Sequence, residues 1–234
     1  MLVTGAARRI GRSISLAAAR SGFDVAVHYQ HSHAEAETLC SEIRALGRKA
    51  VMLEADLSQE QQVQALVSRV LEHGPLVALA NNASIFEKLD WRNTGLEDWN
   101  RHLMINLTAP FLLSQAFAKA LAPIGQGRII NLLDWRVSRP GSDHIPYTIS
   151  KSALASLTQS LAVALAPHIT VNALALGAVL PPSDGNTSKT LLDNVPLGRW
   201  ATLEEVDEAF IFLLDGPSYM TGEILALDGG RHLV

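Results

Sequence analysis

The chain has 234 residues, of which 48% are hydrophobic and 18% charged, so it can bury one substantial core and is not a disordered chain. Its formal net charge of −4 argues against a nucleic-acid surface, which needs clustered positive charge. Its one cysteine, Cys40, excludes an internal disulfide, and no apolar run reaches the ~20 residues of a membrane span. The first residues are typical of a strand rather than a signal peptide, and we expect a soluble cytoplasmic protein.

The first 80 residues alternate between short apolar strands and helices. The strands are predicted at 1–4, 24–29, 50–54 and 76–80, and the helices at 10–21, 33–46 and 59–72. Near-continuous apolar strands that alternate with helices indicate a parallel sheet with helices on both faces. The predicted fold class is therefore α/β, a doubly wound parallel sheet (Rossmann fold), in which ligands bind at the carboxyl ends of the strands.

The second half continues this alternation, and a single domain accounts for the whole chain. Helices are predicted at 96–121, at a segment that ends near 166 and at 202–214, and strands at 127–133, 169–174 and 223–227. Pro110 is a point where the first of these helices could break. The strand that follows it leads to Asp134. Residues 177–195 are rich in Pro, Gly, Ser and Asp and indicate a mobile loop or lid.

Tyr147 and Lys151 lie four residues apart, and therefore one turn apart on the same face of a helix. An ammonium near a phenol stabilises the phenolate, so we expect the pKa of Tyr147 to fall from its usual value of about 10. A fall of this kind would make Tyr147 a usable proton donor near neutral pH. The alternative is an unrelated pair on a surface helix, because this spacing often arises by chance.

The glycine turn, residues 4–11, reads Thr-Gly-Ala-Ala-Arg-Arg-Ile-Gly and stands between the first strand and the first helix. Glycine at two of its positions allows a tight turn and close backbone approach. At such a turn, a dinucleotide pyrophosphate rests on the N-terminus of the helix. The alternative is a plain strand-to-helix turn. The predicted cofactor-binding residues here are Gly5, Arg8, Arg9, Ile10 and Gly11.

The glycine turn and the distant Tyr147 and Lys151 together resemble the short-chain dehydrogenase/reductase family over the whole chain. The resemblance implies a nicotinamide cofactor, with Tyr147 as proton donor and Lys151 as a holder of the cofactor ribose. Asn106 is similar to the family's helix Asn, which holds a water near the catalytic Lys. Further residues that resemble the family's cofactor contacts are Asp56, Leu57, Asn82, Ala83, Ser84 (where the family has Gly) and Gly177.

Two departures from the family pattern resemble the pteridine reductases. Arg9 stands at the family's middle glycine, and Asp134 stands thirteen residues before Tyr147, where the family has Ser. The resemblance implies that Arg9 contacts a cofactor phosphate and that Phe86 stacks on a pterin ring. It also implies an Asp in the place of the Ser. The predicted catalytic residues are thus Tyr147, Lys151, Asp134 and Asn106, and the predicted substrate contacts are Arg9, Ser84, Phe86, Asp134 and Tyr147.

The segments 139–144 and 228–233 look closest to bacterial dihydromonapterin reductases. This resemblance implies a homotetramer, in which Arg231 or His232 reaches the active site of a neighbouring subunit. Leu176 replaces a Pro of the family pattern, and the loop after it has its own sequence. The size and the pose of the substrate therefore do not follow from the resemblance.

The end of the second strand favours NADPH over NADH. An acidic residue at this position usually holds a free ribose 2′-hydroxyl, and this chain has none there. A 2′-phosphate could be met by Arg9 and Ser32. His28 and Tyr29 are further predicted cofactor contacts. His28 and His31 are interpreted as polar loop residues rather than metal ligands, because no His, Cys and Asp cluster has metal-ligand spacing.

The functional hypothesis is an NADPH-dependent reductase of a dihydropterin-type substrate, with a proton relay through Tyr147, Lys151 and Asp134. Its small-molecule substrate would be dihydromonapterin, dihydrobiopterin or dihydrofolate. One alternative is a carbonyl reductase of the 3-oxoacyl type, which normally needs the Ser that Asp134 replaces. Another is a non-catalytic NADPH-binding sensor, which would have no need of Asn106, Tyr147 and Lys151 together. No metal, nucleic-acid or membrane partner is expected.

Overall fold

The computed structural model describes residues 1–121, 125–180 and 192–234. In these ranges the strands are β1 (Leu2–Val3), β2 (Val25–Tyr29), β3 (Ala50–Glu54), β4 (Ala78–Asn81), β5 (Gly127–Asp134), β6 (Ile169–Leu176) and β7 (Ile224–Leu227). The helices are α1 (Arg9–Arg20), α2 (His33–Ala45), α3 (Glu60–Leu71), α4 (Leu96–Leu103), α5 (Ala109–Leu121), α6 (Ile145–Leu165) and α7 (Leu203–Asp215). No helix in these ranges is both long and apolar enough to cross a membrane.

All the described strands lie in one parallel sheet with the order β3-β2-β1-β4-β5-β6-β7. The order reverses between β1 and β4. At such a point a doubly wound sheet opens a crevice at its carboxyl edge, and ligands bind there. The predicted fold class is therefore confirmed.

Helices cover both faces of the sheet and form two apolar layers with it. On one face, Ile14 of α1, Leu39 of α2 and Phe210 of α7 pack in one cluster with the strands. On the other face, Leu66 of α3 and Phe117 of α5 pack in a second cluster. A strand that is covered on both sides has no solvent face, which accounts for the complete burial of β2 and β4.

Several strand ends differ from the predicted bounds by one or two residues, and at the carboxyl edge β4, β5 and β6 run longer than predicted. β4 ends at Asn81 rather than at residue 80. β6 continues past residue 174, because Ala175 and Leu176 pair with β7. Asp134 is the last residue of β5, so the sheet itself positions its side chain at this edge. Most of the predicted lid at 177–195 lies outside the described residues.

The break expected near Pro110 is a π turn at Met104–Thr108, between α4 and α5. Pro110 has no backbone N–H, so it cannot donate to the carbonyl of Asn106 four residues earlier. The wider turn accommodates this missing hydrogen bond, and turns of this kind are frequent at functional sites. The turn carries the fully buried side chain of Asn106.

Candidate active site

The glycine turn connects β1 to α1 at the carboxyl edge of the sheet. Gly5 has a φ of 61°, a left-handed backbone angle that most side chains disfavour. A methyl group at Gly11 would overlap the carbonyl oxygen of Gly5, so α1 can approach the turn only with glycine there. Arg9, the first residue of α1, also has a positive φ, 52°. Strained residues of this kind cluster at ligand sites.

Thr4 and Asn82 hold the glycine turn in place by hydrogen bonds. The Thr4 hydroxyl accepts from the backbone N–H groups of Asn82 and Ala83, both at 3.0 Å. The side-chain amide of Asn82 donates to the carbonyls of Thr4, at 2.8 Å, and Gly5, at 3.1 Å. Asn82 thus acts on the predicted cofactor site through the turn. Sequence reasoning misses Thr4, although a hydroxyl residue directly before the first glycine of the turn is a usable signal.

His28 supports the glycine turn from inside the sheet and is only 2% exposed. Its Nδ1 accepts from the Gly5 N–H at 2.9 Å, and its Nε2 lies 3.1 Å from the Ala55 carbonyl oxygen. Burial lowers the pKa of His28 to about 4, so the ring is neutral near pH 7. The interpretation of His28 as a polar loop residue is therefore wrong. A buried ring in β2 was not expected because histidine at a strand end is more often solvated.

A cleft of about 360 Å³ opens beside the glycine turn. The predicted cofactor residues that line it are Gly5, Arg8, Arg9, Ile10, Gly11, His28, Asp56, Leu57, Asn82, Ala83 and Ser84. Residues that line it and were not predicted are Gln30, Ala55, Ile85 and Ile105. The close backbone approach at Gly11, the N-terminus of α1 and two arginines fit the phosphates of a dinucleotide.

Tyr29, Ser32 and Gly177 do not line this cleft. Tyr29 is buried, with its hydroxyl 3.4 Å from a carboxylate oxygen of Glu54. Ser32 precedes α2 and makes no side-chain hydrogen bond to that helix. Gly177 is packed so tightly that a Cβ there would lie 2.6 Å from the Cα of Asp228. Packing within the protein therefore explains the positions of Tyr29 and Gly177. The cofactor contacts predicted for these two residues and for Ser32 stay predictions.

Arg8 is held beside the cleft by the first turn of α2. Its Nε donates to a carboxylate oxygen of Glu35 at 2.7 Å, and its Nη2 contacts the same oxygen. Both side chains are exposed. The Arg8 hydrogen bond lowers the pKa of Glu35, which is therefore a carboxylate near neutral pH. This contact places one negative charge close to the end of β2.

Asp134 and Tyr147 form a hydrogen-bonded pair, called here the acidic pair. The Tyr147 hydroxyl donates to Oδ2 of Asp134 at 3.1 Å. The other oxygen, Oδ1, accepts from the backbone N–H of Arg136 at 2.9 Å. Burial raises the pKa of Asp134. Burial and the charge of Asp134 together raise the pKa of Tyr147 well above its usual value.

Lys151 is buried beneath the acidic pair and does not reach the Tyr147 hydroxyl. Its Nζ donates to the carbonyl of Leu132 at 2.8 Å and lies 5.9 Å from the centre of the Tyr147 ring. Burial lowers the pKa of Lys151 to about 8, and the charge of Asp134 opposes this shift. The expected fall in the Tyr147 pKa is therefore wrong, because the hydroxyl faces a carboxylate while the ammonium lies at the ring.

Asn106 connects the loop after β4 to α6. Its Oδ1 accepts from the Ile85 N–H at 2.9 Å and from the Ser84 hydroxyl at 3.1 Å. Its Nδ2 donates to the Ile85 carbonyl and to the Ser150 hydroxyl, both at 3.1 Å. All four side-chain positions are therefore taken by protein groups. The Asn106 side chain is thus a positioning group, and the expectation that Asn106 holds a water near Lys151 stays a prediction.

Phe86 stands beside Tyr147 and stacks on His144. The ring centres of Phe86 and His144 are 4.0 Å apart with planes at 7°, and Phe86 meets Tyr147 edge-on at 4.6 Å. His144 covers part of Phe86, which remains 52% exposed. Phe86 thus lies at the predicted site, and its stacking on a substrate stays a prediction. Sequence reasoning misses His144, whose signal is an aromatic ring three residues before Tyr147.

Comparison with known proteins decides the family. The family model described as enoyl-(acyl carrier protein) reductase matches residues 5–232, which is nearly the whole chain. This chain belongs to the short-chain dehydrogenase/reductase family. It is an oxidoreductase of that family, which agrees with the pairing of a dinucleotide-type turn and a buried Tyr-xxx-Lys helix in one molecule.

The family's relatives carry several activities. The chain is 37% identical to the uncharacterized oxidoreductase YgfF of Escherichia coli (strain K12), over 98% of this chain and 98% of that protein. It is 33% identical to the 3-oxoacyl-(acyl-carrier-protein) reductase of Synechocystis sp., over 98% and 95%. Among solved structures, it resembles FolM alternative dihydrofolate reductase 1 from Brucella canis complexed with NADP. That likeness has a TM-score of 0.92 at 37% identity and covers 100% of this chain and 93% of the other.

The C-terminal turn of this short-chain reductase, Arg231–Leu233, lies beside the acidic pair of its own chain. The guanidinium of Arg231 lies 4.1 Å from the ring centre of Trp135, the residue after Asp134. His232 is held by Asp228, with Nδ1 2.8 Å from a carboxylate oxygen. Both contacts lie within one chain, and the reach of these residues into a neighbouring subunit stays a prediction. Within the described ranges no three His, Cys, Asp or Glu side chains group as a metal site.

Proposed function

We propose that this chain is an NADPH-dependent reductase that converts a dihydropterin, such as dihydromonapterin, dihydrobiopterin or dihydrofolate, to its tetrahydro form. The observation that carries the proposal is the 3.1 Å hydrogen bond from Tyr147 to Asp134. Asp134 stands at the position where the family pattern has Ser. The likeness to two structures named alternative dihydrofolate reductase 1, each in complex with NADP and 37% identical, supports it.

The acidic pair matches the reduction of a C=N bond better than that of a C=O bond. Bound NADPH supplies the hydride, which goes to the carbon. A carbonyl oxygen gains negative charge, which a Ser hydroxyl stabilises and a carboxylate repels. A ring nitrogen instead needs a proton as the hydride arrives. Tyr147 would donate that proton, and a proton that Asp134 takes up from solvent would then restore the Tyr147 hydroxyl.

The surroundings of the acidic pair keep this proton available near neutral pH. Burial raises the pKa of Asp134, and burial together with the charge of Asp134 raises that of Tyr147. Two acidic groups in contact also disfavour double ionisation, so at least one proton stays on the pair. Lys151 uses one N–H on Leu132, and the two that remain would hold the hydroxyls of the nicotinamide ribose.

We also propose that NADPH is preferred over NADH. In the structure, the end of β2 presents Gln30 rather than a carboxylate to the cleft. Arg8 and Arg9 line the same cleft and would meet a 2′-phosphate by charge-assisted hydrogen bonds.

A carbonyl reductase of the 3-oxoacyl type is the second candidate. Relatives of that name from Synechocystis sp. and Staphylococcus aureus are 33% and 32% identical to this chain. They favour a β-ketoacyl thioester substrate. Asp134 argues against it, because a carboxylate beside Tyr147 would repel the developing oxyanion.

The test is the oxidation of NADPH, followed by absorbance, with dihydrobiopterin, with acetoacetyl thioester and with no substrate. The expected result is oxidation with dihydrobiopterin that is lost in the Tyr147→Phe variant. Oxidation with the thioester alone would contradict the proposal and favour the second candidate. Oxidation with neither compound, in a protein that binds NADPH, would favour a sensor.

We further propose a homotetramer. The outer side of α5 and α6 exposes apolar side chains, including Phe111, Ile149 and Val163, the last of which is 82% exposed. Small residues near them on α6, such as Ala153 and Ser156, would allow close helix packing between subunits. Sedimentation equilibrium should give four times the mass of the chain, and Val163→Glu should lower it.

A further inference from the structure

Two arginines flank Trp135, the residue after the acidic Asp134. The guanidinium carbon of Arg231 lies 4.1 Å from the centre of the Trp135 ring, and that of Arg136 lies 5.1 Å from it. Arg136 also lies 5.9 Å from the centre of the Phe86 ring. Both positive charges therefore lie at Trp135, next to Asp134 of the acidic pair, and Arg136 also faces Phe86, the ring that is predicted to stack on the substrate.

The two arginines differ in how they are neutralised. Arg136 contacts Asp143 at 3.1 Å. Among the described residues, no carboxylate forms an ion pair with Arg231, and its buried Nε has no hydrogen-bond partner. The nearby Asp228 accepts instead from the N–H of Gly230, at 3.0 Å, and from the N–H and Nδ1 of His232, both at 2.8 Å. The C-terminal turn thus positions one guanidinium and leaves its charge open to a ligand.

The positive charge of Arg136 beside Arg231 favours the arrival of an anion. Burial and the charge of Arg136 lower the pKa of Arg231, and the charges of Asp134, Asp228 and Asp143 oppose this. Two like charges near one indole repel each other, and an anion bound between them removes that repulsion. A guanidinium offers paired N–H groups that match a carboxylate in a bidentate contact.

We propose that Arg231, with Arg136, binds an anionic tail of the substrate and so selects dihydropterins that carry a carboxylate, such as dihydrofolate with its glutamate, over those with a neutral polyol tail. This inference rests on the proposed function and names the substrate class within it. The reduced ring would lie at Phe86 and the acidic pair, and the tail would extend over Trp135 to Arg231.

The test compares two substrates with the same reducible ring. In the native protein and in Arg231→Gln, steady-state kinetics are measured with dihydrofolate, which has carboxylates, and with dihydrobiopterin, which has none. The expected result is a KM for dihydrofolate about ten-fold or more higher in the variant, as for a lost charge-assisted hydrogen bond, with kcat little changed. The constants for dihydrobiopterin and the KM for NADPH should stay the same. Arg231→Lys keeps the charge and loses the paired donors. Its KM for dihydrofolate should lie between those of the native protein and of Arg231→Gln.

Arg139→Gln is the matched control, because it also removes one positive charge, from an exposed side chain three residues after Arg136. It should leave the dihydrofolate KM unchanged, and an equal rise in both variants would overturn the inference in favour of a general field effect. Equal changes for both substrates in Arg231→Gln would overturn it as well, and the proposed function would stand. If the native protein reduces neither dihydropterin, the proposed function itself fails, so the two failures are distinguishable.

Discussion

The glycine turn after β1 and the acidic pair after β5 lie at the same edge of one sheet, yet they are built from different parts. The turn is made of backbone held by short polar side chains, such as Thr4, and it needs glycine at Gly11 because there is no space for a Cβ. The acidic pair is made of side chains from two elements, and its properties depend on burial and charge. The glycine turn is thus sensitive to shape, and the acidic pair is sensitive to electrostatics. Substitutions at the two sites should therefore change different constants.

The largest effect is expected from Asp134→Ser, which tests the electrostatic site. It removes the carboxylate partner of Tyr147 and should lower kcat for dihydropterin reduction by ~10²–10⁴-fold, as for lost general acid catalysis. The dissociation constant of NADPH should stay nearly the same. Because Asp134 and Tyr147 act as one unit, Tyr147→Phe in the Asp134→Ser background should add little further loss.

Two results would count against this role of Asp134. Full dihydropterin activity in Asp134→Ser would remove it from the proton relay. A gain on a β-ketoacyl thioester that the native protein already reduces would favour the 3-oxoacyl candidate.

The next largest effect concerns His28, which supports the turn. Its pKa is about 4 in the folded protein against 6.5 for an ordinary histidine, so only the unfolded chain gains this proton between these values. Stability is therefore fully present above pH 6.5 and falls as the pH drops to 4. The loss down to pH 4 is about 3 kcal/mol, because each drop of one pH unit costs ~1.4 kcal/mol and the folded His28 is itself half protonated at pH 4.

Chemical denaturation between pH 4 and 7 measures this loss. His28→Gln should be less stable near neutral pH and should lose about 3 kcal/mol less over the same range. His73→Gln, at an exposed position after α3, should keep the pH dependence of the native protein. An unchanged pH dependence in His28→Gln would exclude His28 as its source.

Gly11→Ala tests the sensitivity of the turn to shape. The added methyl group would overlap the Gly5 carbonyl and push α1 away, at a cost of about 1–3 kcal/mol. The NADPH dissociation constant should rise by about 5–100-fold, while kcat at saturating NADPH changes little. Gly95→Ala, whose nearest neighbour would be 3.5 Å away, should leave binding unchanged. A loss of kcat without a loss of affinity would contradict the division between the two sites.

The smallest effect is expected from Glu35→Gln, which leaves Arg8 without its carboxylate partner. Removal of a negative charge near the expected 2′-phosphate should strengthen NADPH binding by less than about five-fold, as for other exposed ion pairs. NADH binding should not change. Titration with both cofactors measures this, and equal changes for both would place the 2′-phosphate away from Arg8.

The sequence predicts the order of strands and helices well, because each depends on a local pattern. The glycine turn is equally local, since the spacing of Gly5 and Gly11 between a strand and a helix indicates it directly. The properties of the acidic pair are not local. Burial and the charge of Asp134 raise the pKa of Tyr147. Nothing in the spacing of Tyr147 and Lys151 predicts that the hydroxyl faces Asp134 while Lys151 donates to the Leu132 carbonyl.

The contacts of a polar side chain also cannot be predicted from a local pattern. The sequence indicates His28 and Asn106 as site residues, but their roles depend on partners from other strands and helices. His28 meets the Gly5 N–H only because β1 and β2 are neighbours in the sheet. Asn106 meets Ile85 and Ser150 only because the π turn aims it between the β4 loop and α6.

The four hydrogen bonds of Asn106 also have a mechanical consequence. They connect Ser84 and Ile85, next to Phe86, to Ser150 in the helix of Tyr147, so this wall of the site should move as one body. The amide proton of Ile85 is protected by the same side chain, and its exchange with solvent deuterium reports how often the connection opens. Because this wall is joined in this way, we expect the motions that admit and release the substrate to occur on the opposite side of the site.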